Sequence, residues 1–155
     1  MTTTAADLAT GITLFAGLED RHLELVAGCA RLAHFPAGAF LCREGRPADA
    51  LYVLRSGRVT LEVAAPEHGP IVVQTLTEGD TLGWSWLFPP YRWHLDAVAR
   101  EPVAALAFDA ACLRAKSERD HELGYQLMRR FSQLMLQRLM ATRLQLLDVY
   151  GRGSR

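Results

Sequence analysis

All three tryptophans of the chain, Trp84, Trp86 and Trp93, fall within ten residues. Gly83, Ser85, Arg92 and His94 stand among them, with Pro89-Pro90 between. Indole rings offer a broad apolar face with an N–H handle, and arginine offers a charge-assisted fork for an anion. That combination suits non-covalent recognition of a small ligand or a partner. A second pair, Arg138 and Thr142, lies four residues apart in an apolar stretch, which places both on one helical face. Polar groups in such surroundings need a partner: a ligand, a neighbouring chain, or water. Gln145 is a lesser candidate of the same kind.

Catalytic groupings are absent from the sequence. His22, His34, His68, His94 and His121 show no metal-binding spacing, so no metal is expected; His94 reads first as a satisfied structural residue, with a hydrogen bond to a ligand or ligation of haem as the alternatives. Ser85 has no base nearby in sequence. No nucleophile elbow, phosphate-binding Gly-x₄-Gly-Lys loop or paired carboxylates occur, so the chain reads as a non-enzyme. Cys29, Cys42 and Cys112 are an odd, scattered set, which argues against a disulfide framework. They read as buried free thiols of a reducing cytoplasm.

The elements that must position these residues fall into three zones. Leu14 to His34 reads as helical, with Leu18, Leu23, Val26 and Leu32 near helical spacing and Pro36 as the stop. Phe35 to Phe108 changes to short apolar runs punctuated by Gly38, Gly45, Gly57, Gly69, Gly79 and Gly83. Strands of about five residues between glycine turns suggest an all-β sandwich or roll. The alanine-rich run Val103–Phe108 is the weakest of these strands, because alanine is depleted in sheets. Ser117 to Tyr150 reads as one helical segment, with Ser117 and Asp120 forming a capping box. Leu127, Phe131, Leu134, Leu139, Leu144 and Leu147 cover more than one face, so a second chain is expected to bury part of it.

Composition sets the limits. The chain has 155 residues, half of them hydrophobic, with 17 basic and 17 acidic side chains. This length fits a single domain over 1–155, with a helical segment at 14–34, strands at 35–108 and a helical segment at 117–150. Zero net charge argues against direct nucleic-acid binding, which needs excess Lys and Arg. No apolar run approaches the roughly 18 residues of a membrane span. Met1 to Leu14 lacks the basic start of a signal peptide.

Phe35-Pro36-Ala37-Gly38-Ala39-Phe40-Leu41, Glu44-Gly45 and Asp49-Ala50-Leu51-Tyr52-Val53-Leu54-Arg55-Ser56-Gly57-Arg58-Val59 together resemble the cyclic-nucleotide-binding β-roll. Leu76-Thr77-Glu78-Gly79-Asp80 leading to Gly83, and then the long helix, extend the similarity to the sensor domains of Crp–Fnr-type regulators. The resemblance covers roughly Leu14 to Tyr150. It implies a mainly β fold with flanking α, a β-roll closed by a long C-terminal dimerisation helix. It also implies a homodimeric, cytoplasmic regulatory sensor that signals through a partner protein. The family's DNA-binding domain would begin after Tyr150, where Gly151 to Arg155 leave no room for a helix-turn-helix, so no direct DNA binding is expected.

In that family a short helix start and an arginine hold the ligand phosphate, and a glutamate after a glycine holds the ribose. Gly83, Trp84, Ser85, Trp86, Arg92 and Trp93 are the matching candidates for ligand binding. Trp84 stands where the glutamate belongs. Arg92 is the phosphate candidate in one register, and Trp93 takes its place in the ungapped match to Ala97-Val98-Ala99. On a strand that slip of one reverses the side chain. A lost charged hydrogen bond, at about 1.5–3 kcal/mol, weakens binding roughly tenfold to a hundredfold. The ligand is therefore left as cyclic AMP, cyclic GMP or a divergent molecule. The tryptophans have four readings: stacking on a purine, walling a less polar pocket, docking a partner, or filling a pocket that binds nothing. The docking reading belongs with the alternative function, a ligand-free interaction scaffold that docks a partner through its aromatic segment or its long helix. Arg138-Leu139-Met140-Ala141-Thr142 resembles the family's helix stretch whose arginine and threonine touch ligand at the dimer interface.

Overall fold

The structure, a computed structural model, describes residues 12–153 together with Thr4 and Asp7. The readings made for Met1 to Leu14, and for Ser154 and Arg155, therefore lie largely outside the described residues.

Apolar alternation and glycine turns produce two antiparallel sheets among the described residues. One has the order β1 (Ala30–Phe35), β8 (Val103–Asp109), β3 (Ala50–Ser56) and β6 (Thr81–Leu82). The other has the order β2 (Phe40–Cys42), β7 (Asp96–Ala99), β4 (Val59–Ala65) and β5 (Gly69–Leu76). Facing apolar residues such as Leu51, Val53, Val59, Leu61 and Ala97 are almost wholly buried between them. Gly57 turns β3 into β4 at a φ of +95°, and a side chain there would meet the Pro102 carbonyl at 2.5 Å. Only glycine fits that corner.

Three expectations are corrected. The first helical zone is a 3-10 turn at Thr13–Phe15 and a helix α1 at Asp20–Ala27, and the chain from Ala30 onward is strand. Leu23 and Val26 are buried as helical spacing requires, but Leu32 pairs with Leu106 of β8 and is 52% exposed. Pairing along all six residues of β1, from Ala30↔Phe108 to Phe35↔Val103, outweighs the local helical spacing. Second, the last zone is two helices, α2 (Ala110–Arg119) and α3 (His121–Gly153). Ser117 donates to the Leu113 carbonyl (2.8 Å) instead of capping, while Asp120 accepts from Leu123 N–H (3.1 Å) as α3 begins. The cap of α2 is Asp109, whose side chain accepts from Cys112 N–H at 2.7 Å.

The third correction concerns the thiols. Cys29 and Cys112 form a disulfide across 83 residues of sequence, and only Cys42 is a free thiol, buried. The fold puts the start of β1 beside the first turn of α2, with Cα atoms 5.7 Å apart, well within bridging range.

The alanine-rich strand forms as expected and lies in the middle of its sheet, paired on both sides by β1 and β3. Ala105 and Ala107 are fully buried there. Beneath it, Phe15 meets Phe108 edge-on at 5.4 Å, and Trp86 meets Phe131 of α3 in the same way at 5.4 Å. Leu123, Leu127 and Phe131 sink the first third of α3 into this core. Beyond it, Leu136, Leu139, Met140, Leu144 and Leu147 are exposed, as are Ile71 and Val72 of the β4–β5 hairpin, which the helix meets where Gln145 reaches the Val73 carbonyl.

Candidate functional site

The segment from Gly83 to Trp93 leaves β6 through Gly83 at a φ of +107°, makes a 3-10 turn at Ser85–Leu87, and returns through the cis Pro89-Pro90 bond. Trp93 N–H donates to the Arg46 carbonyl (3.0 Å) and its carbonyl accepts from Gly45 N–H (2.9 Å). This pairing sets which way the two neighbouring side chains face. Trp93 faces inward and is buried, and Arg92 faces outward with Nη1 donating to the Gly45 carbonyl at 2.7 Å.

Trp93 packs directly on Gly83, its Cη2 and Cζ3 within 2.6 and 2.8 Å of where a β-carbon would stand. Across the space, the Arg138 guanidinium lies 4.6 Å from the Trp84 ring centroid, a cation–π contact. Arg138 Nη2 donates to the Thr81 carbonyl, while its buried Nε has no partner. No ion pair holds Arg138 among the described residues. Burial therefore pushes its pKa down to about 10, with Asp80 opposing only in part. Gly83, Trp84, Ser85, Trp93, His94 and Arg138 border a cavity of about 60 Å³. Typical small-molecule sites hold ~300–1,000 Å³. As folded, this space is occupied largely by the protein's own side chains.

The structure thus brings together Gly83, Trp84, Ser85, Trp93 and Arg138 of the eight candidates. Trp86 is elsewhere, fully buried against Phe131, with its Nε1 unpaired. Arg92 is occupied with Gly45. Thr142 is exposed, and its hydroxyl donates to the Arg138 carbonyl within the helix (2.8 Å). Gln145 reaches the Val73 carbonyl on the hairpin at 3.5 Å.

Sequence reasoning passed over several groups. Arg114 of α2 donates to the Trp86 carbonyl (2.8 Å) and stacks over Tyr91 at 4.2 Å, so it braces the segment from behind. Glu62 on β4 is 6% exposed and is satisfied by Thr60 (3.2 Å) and by an ion pair with Arg100. Glu19, His22 and Glu122 place potential ligand atoms within 4.8 Å of one another. There the Arg21 guanidinium already contacts Glu122 and His22 Nε2. Glu19–His22 and Thr60–Glu62 are close in sequence, but the groups that complete each cluster, Glu122 and Arg100, come from elements far along the chain, as Arg114 does for Trp86.

No helix among the described residues is long and apolar enough to cross a membrane. The profile of the cyclic nucleotide-binding domain matches residues 32–120. A CRP-like cAMP-activated global transcriptional regulator of Mycobacterium tuberculosis (strain CDC 1551 / Oshkosh) is 26% identical over 136 residues. That match covers 88% of this chain and 59% of the regulator. A protein of Geobacter metallireducens GS-15 named as cyclic nucleotide-binding is 31% identical with a TM-score of 0.74, covering 83% of this chain and 92% of that one. A cyclic nucleotide-binding domain from Methylobacillus flagellatus KT shares the fold at a TM-score of 0.78 and 19% identity, covering 92% of this chain and 80% of that one. The two-sheet roll, the segment after β6 and the long helix laid against it are those of a regulatory domain, and the chain belongs to the cyclic nucleotide-binding domain family.

Proposed function

We propose that the chain is a non-enzymatic, cytoplasmic sensor in which a small anionic ligand engages Arg138 and moves the Trp84–Trp93 wall. The observation that carries this reading is Arg138 itself. A half-buried guanidinium with no carboxylate beside it and its Nε unpaired is partly stripped of water without full compensation, which leaves it free to take an anion. An anion entering beside Trp84 and Ser85 would supply the missing charge. The ligand is cyclic AMP, cyclic GMP or a divergent anion of similar chemistry. Its entry requires the Trp93 ring to leave Gly83, because about 60 Å³ does not hold a nucleotide. Through Arg138, ligand binding would bias α3 against the roll and alter what a partner protein meets. The exposed apolar residues of α3 and the β4–β5 hairpin support a homodimer, with Arg138 of each helix near the shared surface.

Isothermal titration with cyclic AMP and cyclic GMP tests the ligand. Heat that disappears in Arg138→Met is expected. No heat at millimolar concentration of either removes the cyclic-nucleotide version. Light scattering tests the dimer, and a monomer at micromolar concentration would contradict it.

A second reading is a ligand-free scaffold, favoured by how completely Trp93 fills the site. It predicts that a partner captured by the wild type is lost in Trp84→Ala with the fold intact. Retention of that partner would remove the reading.

A further inference from the structure

The Cys29–Cys112 disulfide is placed where it does more than staple two elements. Cys29 ends the turn from α1 into β1, and Cys112 lies in the first turn of α2. Two residues further along α2, Arg114 donates to the Trp86 carbonyl and covers Tyr91. The same helix is tied back to α1 by Lys116, which donates to the Leu25 carbonyl at 2.6 Å. So α2 bridges two sites: the disulfide on one side, the tryptophan segment on the other.

The two sulfurs differ in access. Cys29 is 6% exposed, whereas Cys112 is half-buried. An outside thiolate therefore reaches Cys112 first, and thiol–disulfide exchange depends on such access. We propose that Cys29 and Cys112 are a reversible redox-modification site, exchanging with small thiols and disulfides, whose state sets how firmly α2 braces the segment Gly83–Trp93.

The chemistry balances with a monothiol as reductant. Its thiolate attacks Cys112 Sγ, forming a mixed disulfide and expelling Cys29 as thiolate, which takes a proton from water. A second thiol attacks the outer sulfur of the mixed disulfide and releases Cys112 as a thiol. Two protein thiols and one small disulfide result. The reverse runs with a small disulfide as oxidant. The inference is independent of whether any ligand binds beside Arg138.

Reduction need not unfold the protein. Helix α2 keeps its Asp109 cap, the Ala110 N–H bond to the Asp49 carbonyl (3.0 Å) and a fully buried Leu113. What it loses is the covalent anchor next to Arg114. Cys42 provides an internal zero. It is buried on β2 with its thiol pushed up to about 12 by burial, so it stays unreactive near neutral pH.

The experiment equilibrates the full chain in glutathione buffers from fully oxidised to fully reduced. Alkylation then counts free thiols by intact mass, while tryptophan emission and tryptic cleavage after Arg92 follow the segment. The expected result is no alkyl group added under oxidising conditions and two under reducing ones, in native buffer. With the second group should come a shift in tryptophan emission and a several-fold faster cut after Arg92. In Cys112→Ala the emission should match the reduced wild type in every buffer. Reduction that occurs only in denaturant would overturn reversibility. Two-thiol reduction with unchanged emission and cleavage would overturn the coupling to the tryptophan segment. Both readouts come from the wild type, so neither depends on a variant folding.

Discussion

The Trp93 indole occupies the space in which Gly83 would carry a side chain, with Cη2 2.6 Å from that position. Each residue is therefore a condition for the other. Gly83→Ala must take a positive φ at an extra cost of about 1–3 kcal/mol, and must also displace the ring. A loss of roughly 2–5 kcal/mol in urea denaturation is expected. Placing Trp93→Leu in the same chain should recover part of it. Equal losses with and without Trp93→Leu would show that the two residues do not meet.

Trp93→Ala is expected to do two opposite things. Loss of a buried aromatic side chain costs about 3–5 kcal/mol of stability. The emptied space adjoins the existing cavity beside Ser85 and Arg138. Cyclic AMP should then bind at least about tenfold more tightly than to the wild type, the size of one recovered contact. Unchanged titration heat would show that Trp93 is not the obstruction.

Arg100 and Glu62 make a prediction away from the site. Arg100→Ala leaves the Glu62 carboxylate, 6% exposed, with Thr60 as its remaining side-chain donor. The expected loss is about 1–3 kcal/mol, the cost of an under-satisfied buried group. Adding Glu62→Gln should restore most of it, since the charge is then gone. A double variant no better than the single one would place the cost in packing of the arginine stem.

Alkaline pH isolates Cys42. Burial, with Asp96 adding to it, raises its pKa from 9.0 to about 12. The unfolded thiol thus releases its proton first. This stabilising contribution is full below pH 9 and is lost as pH rises toward 12, at no more than about 1.4 kcal/mol per unit. Arg138 acts in the opposite sense, but only above about pH 10, where its folded pKa lies below the ordinary 12.5. Tyr52, also raised by burial, contributes only above its ordinary 10.0. The clean window is therefore pH 9 to 10. Stability should fall there in the wild type and stay level in Cys42→Ala; parallel curves would contradict the assignment.

Much of the roll was legible in sequence because its signals are local. Gly38, Gly45 and Gly57 all take positive φ at turns, as strands that reverse within a few residues require. The apolar excess on α3 was legible for the same reason. What could not be read depends on distant pairing. Leu32 falls near helical spacing from Leu18, Leu23 and Val26, yet Ala30–Phe35 is strand, paired along its whole length with β8. Cys29 meets Cys112 across a sequence separation of 83 residues, which no local pattern announces. Which of Arg92 and Trp93 faces inward depends on pairing with Gly45 and Arg46, forty-odd residues upstream.

The 33 residues of α3 make a rod of about 50 Å at 1.5 Å per residue. Its base at Asp120 is extended backbone, φ −127° and ψ 94°, joining two helices like a pivot. Leu123, Leu127 and Phe131 clamp the near end, and the far end carries its apolar residues in the open. Such a rod is a lever with unequal arms. A tilt of roughly 10° about the clamp at Phe131 displaces the far end, about 33 Å on, by about 6 Å, enough to exchange one set of side-chain neighbours for another.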